Sequence, residues 1–372
     1  MWAFMAIAAA VLAGVLFCII YVSMRTARFP FIVRISGGRR FIAILIAMVF
    51  YLAVSLILYS TINTVNAIIC MVHLGGFWLL SELVFFILRK AAHIKVKQYI
   101  PGIAAIVFTV CYMGIAWYLC NHAWETDYKL ESEQLKGNLR IVQITDSHVG
   151  ATFHAQGLHD YVLRINELNP DIVAVTGDFV DDDTSREDMI GSCEALGDLK
   201  TKYGVYFCFG NHDKGYYSAD VRGWDVNDLV ENLEKNNVTV LEDESVLVDG
   251  RFYVVGRKDK SEESRGSGRK TPGELMADLD PNLYKVVLDH QPCNYDDEAQ
   301  AGAGLVLSGH SHGGQFFPFN QIGVITREYE RSYGYERRGN TDFIVSSGIS
   351  DWTLIFKTGC KSEYVVADVT GR

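Results

Sequence analysis

The first 120 residues carry nine Lys/Arg and a single acid, Glu82, and they hold four long apolar stretches. A hydrocarbon core about 30 Å thick is crossed by roughly 20 apolar residues of helix. The stretches at 2–23, 41–60, 66–88 and 102–120 each meet that length, so the sequence predicts four membrane spans. The first lacks a basic leading region and is followed by further spans, which makes it a retained helix rather than a signal peptide. The other 252 residues carry 25 bases and 43 acids. A chain so divided is not a wholly soluble protein. Its acid excess also argues against an extended nucleic-acid surface, because phosphate backbones recruit clustered Lys/Arg.

The bases also predict an orientation. The loop 24–40 carries five Arg, the loop 89–100 carries Arg89, Lys90, Lys95 and Lys97, and the turn Thr61–Val65 carries none. Basic loops stay cytoplasmic, so the N-terminus and everything after residue 121 are expected outside. Trp117, Tyr118 and Trp124 stand where an interfacial aromatic belt would lie. Within the third stretch, His73 and Glu82 are nine residues apart. That spacing puts them on opposite helix faces, and Glu82 is expected to pair inside the bundle or near the inner interface rather than to line a transport path.

From residue 139 the pattern changes to short β-rich runs: 139–146, 171–178, 204–213, 284–292 and 304–314. Near-continuous apolar runs of this length suit strands buried on both faces. Helices are expected at 154–168, at 185–200 with Ser185 as N-cap, and at 225–236. The stretch 238–256 reads as antiparallel strands turning at Asp249-Gly250, and 343–349 and 363–369 complete a sheet. Lys260–Thr271 reads as a mobile polar loop. The expected organisation is a four-span region at 1–122, a linker at 123–138 and an α/β domain at 139–372, with two mixed sheets flanked by helices.

Polar residues follow the strand-like runs, where open α/β sheets place their sites. They are Asp146 and His148; Asp178 and Asp181 in a G-D-x-x-D run; Asn211, His212 and Asp213 in G-N-H-D; His290; and His310 and His312 in G-H-x-H. In extended backbone, residues i and i+2 point the same way, so Asp146 and His148, or His310 and His312, can reach one pocket. Such mixed carboxylate and imidazole donors suit Mn, Fe or Zn. A short Asp at a strand end can bridge two ions about 3.5–4 Å apart. One such motif alone is as readily a cap or a turn. Five in order, each after a strand-like run, are not.

This ordered set resembles the calcineurin-like metallophosphoesterases over most of 139–370. The run Gly309-His310-Ser311-His312-Gly313-Gly314-Gln315 is similar to the bacterial membrane-associated branch, which usually has Thr where Ser311 stands. The resemblance implies a four-layer fold and two divalent ions. Asp146, His148, Asp178 and His312 would hold the first, and Asp178, Asn211, His290 and His310 the second. It gives His212 the place of the catalytic histidine that protonates the leaving group. Asp181, Asp182 and Asp213 either orient ligands or are plain turn residues. The implied chemistry is hydrolysis of phosphate esters by a water that the two ions activate and align.

The membrane tether and outside placement point to a lipid-linked or envelope phosphate ester as substrate, with the bilayer itself as a further partner. Phe316-Phe317-Pro318-Phe319 would form an apolar wall at the pocket or dip into the bilayer; a packed loop is the plainer alternative. Two other functions compete: a nucleotide phosphodiesterase or nuclease, and a metal-binding module without catalysis. The eight cysteines show no C-x-x-C spacing, and Cys208 reads as a buried thiol.

Overall fold

The protein is described by a computed structural model covering residues 2–93 and 95–371, with side chains from Leu12 onward. It divides into two compact units, Met1–Trp117 and Tyr118–Arg372.

The first unit is helical: α1 (Trp2–Thr26), α2 (Pro30–Ile35), α3 (Arg40–Ala91) and the body of α4 (Ile100–Asn121). Among the described residues two helices, α3 and α4, are long and apolar enough to cross a membrane, where the sequence predicted four spans. The difference in count has a backbone reason. The second and third predicted stretches both fall within α3, whose helix is interrupted by non-helical dihedrals at Ile62 and Asn63, inside the expected turn. Much of the first stretch lies outside the described side chains. Large apolar side chains such as Leu56 and Val110 face outward, as a lipid-facing surface requires. Glu82 lies 3.3 Å from Arg25, an internal pair of the expected kind.

The second unit contains twelve strands: β1 (Ala123–Ser132), β2 (Asn138–Ile144), β3 (Ile172–Thr176), β4 (Val205–Cys208), β5 (Val238–Val240), β6 (Glu244–Val248), β7 (Phe252–Gly256), β8 (Tyr284–Leu288), β9 (Leu305–Ser308), β10 (Gly334–Arg338), β11 (Thr341–Val345) and β12 (Ser362–Gly371). Its helices are α5 (Ala155–Glu167), α6 (Arg186–Gly197), α7 (Ala219–Arg222), α8 (Val226–Lys235), α9 (Ser261–Arg265), α10 (Pro272–Met276), α11 (Tyr295–Gln300) and α12 (Ile322–Ile325). The strands form two mixed six-stranded sheets, ordered β1-β12-β2-β3-β4-β5 and β10-β11-β9-β8-β7-β6. Their inner faces meet through Ile141, Ile172, Val254, Val286 and Leu305. Leu158, Val162 and Leu196 of α5 and α6 cover the outside of the first sheet. Leu275 and Tyr295 of α10 and α11 cover the second. The layering is helix, sheet, sheet, helix.

Local chemistry sets the helix starts. The Ser185 side chain accepts the Asp188 N–H at the head of α6, and Asp225 and Asp228 form a capping box on α8, each satisfying amides that the first turn leaves unpaired. Asp249 and Gly250 both take positive φ in the β6–β7 turn, as a tight hairpin requires.

Three expectations change. The linker 123–138 contains β1, which pairs in parallel with β12 along its whole length; its regular alternation of exposed and shielded residues is that of a polar edge strand. Residues 238–240 join the first sheet in parallel with β4 and take no part in the β6–β7 hairpin. The loop 260–271 is anchored: Arg269 pairs with buried Asp289, and Arg265 donates to the carbonyl of Asn211 at 3.0 Å.

Candidate metal centre

Every sequence-predicted site residue follows the carboxyl end of a strand. Asp146 and His148 follow β2, Asp178 follows β3, Asn211 and His212 follow β4, His290 follows β8, and His310 and His312 follow β9. These strands come from both sheets, and the sheets meet at those ends. Gln143 of β2 donates to Thr176 Oγ1 at 2.8 Å and to the Ser308 carbonyl at 2.9 Å.

The side chains gather into two groups of potential metal ligands. Asp146, His148 and His312 form one, and Asp178, His290 and His310 the other, with the donor atoms inside each group within 4.8 Å of one another. Asn211 Oδ1 lies 2.9 Å from His310 Nδ1, which joins it to the second group. Asp178 stands between the groups: its Oδ2 is 3.6 Å from His148 Nε2 and 3.1 Å from His290 Nε2. His212 is beside them, its ring 5.2 Å from that of His148. Its backbone N–H donates to Asp178 Oδ1 at 2.9 Å.

The backbone is bent to make this possible. Asp146, His148, Asp178, His310 and His312 all adopt positive φ, a region that costs a side-chain-bearing residue about 1–3 kcal/mol and is held by surrounding structure at functional sites. The turns also need absent side chains. A Cβ on Gly210 would strike the Asp178 carboxylate, and one on Gly309 would strike that of Asp146.

Two imidazoles are aimed by a hydrogen-bonded partner on the far side: His148 Nδ1 is 3.0 Å from Asp181 Oδ2 and His290 Nδ1 is 2.8 Å from the Thr176 carbonyl. His312 Nδ1 lies 3.6 Å from Asp351 Oδ1, an ion-pair distance without a hydrogen bond. Such outer partners fix ring orientation at metal sites. The buried Nε2 atoms of His148 and His290 make no hydrogen bond.

Charge tells the same story. Burial opposes ionisation of Asp178, yet the neighbouring His290 and His148 imidazoles hold its pKa well below the usual carboxylate range. Burial likewise disfavours a charged His148, but the hydrogen bond to Asp181 and the charges of Asp178 and Asp146 lift it to about 9. Buried carboxylates that pull protons onto nearby imidazoles are asking for positive charge. Divalent cations would supply it, and these oxygen and imidazole donors fit them.

Asp213, left open between an orienting and a turn role, is a buried staple. Its carboxylate accepts the N–H groups of Asp178, Phe179, Val180 and Gly210 at 2.7–3.1 Å, tying the β3 and β4 loops together. Burial, then the charge of Asp178, pushes its pKa up to about 6. Asp182 accepts the N–H groups of Tyr216 and Tyr217. Sequence reasoning missed Asp351 and the wholly buried Lys357, whose Nζ donates to the carbonyls of Ser347 and Ser350. Neither follows a strand-end motif, so nothing marked them. Trp352 was also missed; its ring lies 4.9 Å from that of His212.

Comparison with known proteins agrees with this geometry. Residues 139–314 match the family described as calcineurin-like phosphoesterase. An uncharacterized metallophosphoesterase of Campylobacter jejuni is 29% identical over 244 residues, 65% of this chain and 62% of that protein. A Danio rerio transmembrane protein with metallophosphoesterase domain is 32% identical over 211 residues, 53% of this chain and 45% of its own length. An uncharacterized metallophosphoesterase of Aquifex aeolicus is 30% identical over 251 residues, 66% of this chain and 91% of that protein. The chain thus spans about half to three-fifths of the first two relatives and nearly all of the third. On that likeness, and with potential ligands from both sheets converging on Asp178, the chain belongs to the calcineurin-like metallophosphoesterases, a family of metal-dependent phosphoester hydrolases.

Proposed function

We propose that this protein is a membrane-anchored phosphoesterase that uses two divalent ions, Mn, Fe or Zn, to hydrolyse a lipid-linked or envelope phosphate ester. The carrying observation is the position of Asp178 Oδ2 between His148 Nε2 and His290 Nε2, as expected of a carboxylate shared by two cations. On this reading Asp146, His148, Asp178 and His312 hold one ion, and Asp178, Asn211, His290 and His310 hold the other. The apolar helices before residue 118 form a four-span anchor, with the catalytic unit that includes β1 outside the cytoplasm, the orientation that the basic loops support.

Bound divalent ions would supply charge neutralisation for the phosphoryl oxygens and a lowered pKa for the attacking water. The chain's own groups do the rest. Asp181, Asp351 and the Thr176 carbonyl keep the imidazoles oriented. His212 is fixed through its backbone to Asp178 and passes a proton to the departing oxygen. Burial lowers its pKa.

A nucleotide phosphodiesterase is the second reading. Trp352 and Tyr216 present exposed rings near His212, 4.9 and 5.3 Å away, on which a base could stack. The test is hydrolysis by the purified full-length protein of lipid-linked, nucleotide and aryl phosphates, with and without chelator and added Mn, Fe or Zn. Metal-restored turnover highest on the lipid-linked esters is expected. Preference for nucleotides would favour the second reading, and no turnover on any ester would refute both.

A further inference from the structure

The chain enters the second unit at Tyr118, directly after the apolar run of α4, and that entry point is hydrogen-bonded to the loop over the metal centre. Asn121 Nδ2 donates to the Ile355 carbonyl at 3.2 Å, and Ser362 Oγ donates to the Cys120 carbonyl at 2.8 Å. The same loop carries Asp351, the partner of His312, and Trp352, which is 47% exposed beside His212. Tyr118, His122 and Trp124 pack together at the entry, and Lys361 lies over Trp124. Aromatic and basic side chains so grouped are those that settle at a bilayer interface.

A second loop is sewn to the first. The amides of Thr358 and Gly359 both donate to the Gln315 carbonyl at 2.9 Å, and the Phe317 N–H donates to Thr358 Oγ1 at 3.1 Å. It continues through Phe319 into α12, and it leaves Phe317, Phe319, Ile322 and Ile325 58–76% exposed. Large apolar side chains are rarely left so open together on a soluble surface. The charge pattern is equally selective. Phe316–Arg327 and Trp352–Lys361 contain no carboxylate, and the adjoining Asp351 is buried, although residues 121–372 hold 43 acids. A carboxylate resting on anionic lipid headgroups would be repelled.

We infer that the loops 316–327 and 352–361 form one membrane-resting lip. It holds the mouth of the metal centre against the surface of the bilayer that α4 enters, so that the substrate is a phosphoester presented by that bilayer. The inference rests on the membrane-anchored phosphoesterase reading and deepens it. Phe319, Ile322 and Ile325 sink among the headgroups, while Trp352 stands beside His212.

The test uses full-length protein in vesicles of phosphatidylethanolamine and phosphatidylglycerol. Phe319→Cys and Ile325→Cys, each labelled with an environment-sensitive fluorophore, should be quenched by doxyl-labelled lipid, with the labelled parent protein as blank. The same label at Leu247→Cys, on the exposed edge strand β6, should not be quenched. Separately, Phe319→Glu and Ile325→Glu should cut hydrolysis of a vesicle-borne phosphoester about tenfold, the scale of one buried apolar side chain lost from an interface. A soluble aryl phosphate should be hydrolysed at the parent rate. Absence of quenching at both positions, or equal loss on both substrates, would overturn the lip. Quenching without hydrolysis of any ester by the parent would uphold the lip and refute the phosphoesterase reading.

Discussion

Around Asp146, His148 and His312 the imidazoles face carboxylates, Asp181 and Asp351, whereas around Asp178, Asn211, His290 and His310 the partner beyond the candidate ligands is a neutral one, the Thr176 carbonyl behind His290. The first group is therefore backed by more negative charge than the second. Charged outer partners raise the basicity of the ligand they hold, so the two halves of a centre made from the same residue types should differ in affinity. A tight ion beside Asp181 and Asp351 and a more exchangeable one beside Asn211 follow from that difference.

The variants that probe this asymmetry can be ranked. Asp178→Asn removes the one carboxylate shared by both halves. It should abolish binding of both ions and lower kcat/KM about ten-thousandfold, roughly 5 kcal/mol of barrier, as read by metal analysis and phosphoester kinetics. His212→Gln leaves both halves loaded and takes away only the proton donor. Its kcat should fall about a hundredfold, the lower end for general acid catalysis, with metal content unchanged. Asp181→Asn and Asp351→Asn should weaken binding of the first ion about 10–100-fold, measured by calorimetric titration, while leaving the second as in the parent. The smallest effect is expected in the parent itself. Graded chelation should remove the ion beside Asn211 first, with about a tenfold gap between the two dissociation constants. Simultaneous loss would remove the asymmetry.

The strand-end motifs made the candidate ligands legible in the sequence, because short Asp, Asn and His after buried apolar runs repeat a local pattern. The support of those ligands was not legible. Asp351 reaches His312 across 39 positions, and no local pattern announces a pairing made only by the packing of two loops. Asp213 has the look of a turn residue, and only the folded β3 and β4 loops bring four amide donors onto its carboxylate. Strand β1 was read as linker because an edge strand buries too little to show an apolar run. The segment 260–271 has the composition of a free loop, yet Arg265 and Arg269 find partners from distant strands. Of the glycines before Asp178, Asn211 and His310, Gly177 alone takes positive φ, whereas Asp146, His148, Asp178, His310 and His312 take it themselves. In the membrane third the sequence placed a turn at Thr61–Val65, and the break at Ile62 and Asn63 falls inside it, although the helix runs on across it.

The most direct measurement is anomalous diffraction at the metal edge from crystals of the full-length protein grown with Mn. Two peaks, one on each side of Asp178 Oδ2, with Asp146, His148 and His312 around one and Asn211, His290 and His310 around the other, are the predicted result. A single peak, or peaks away from Asp178, would contradict the account.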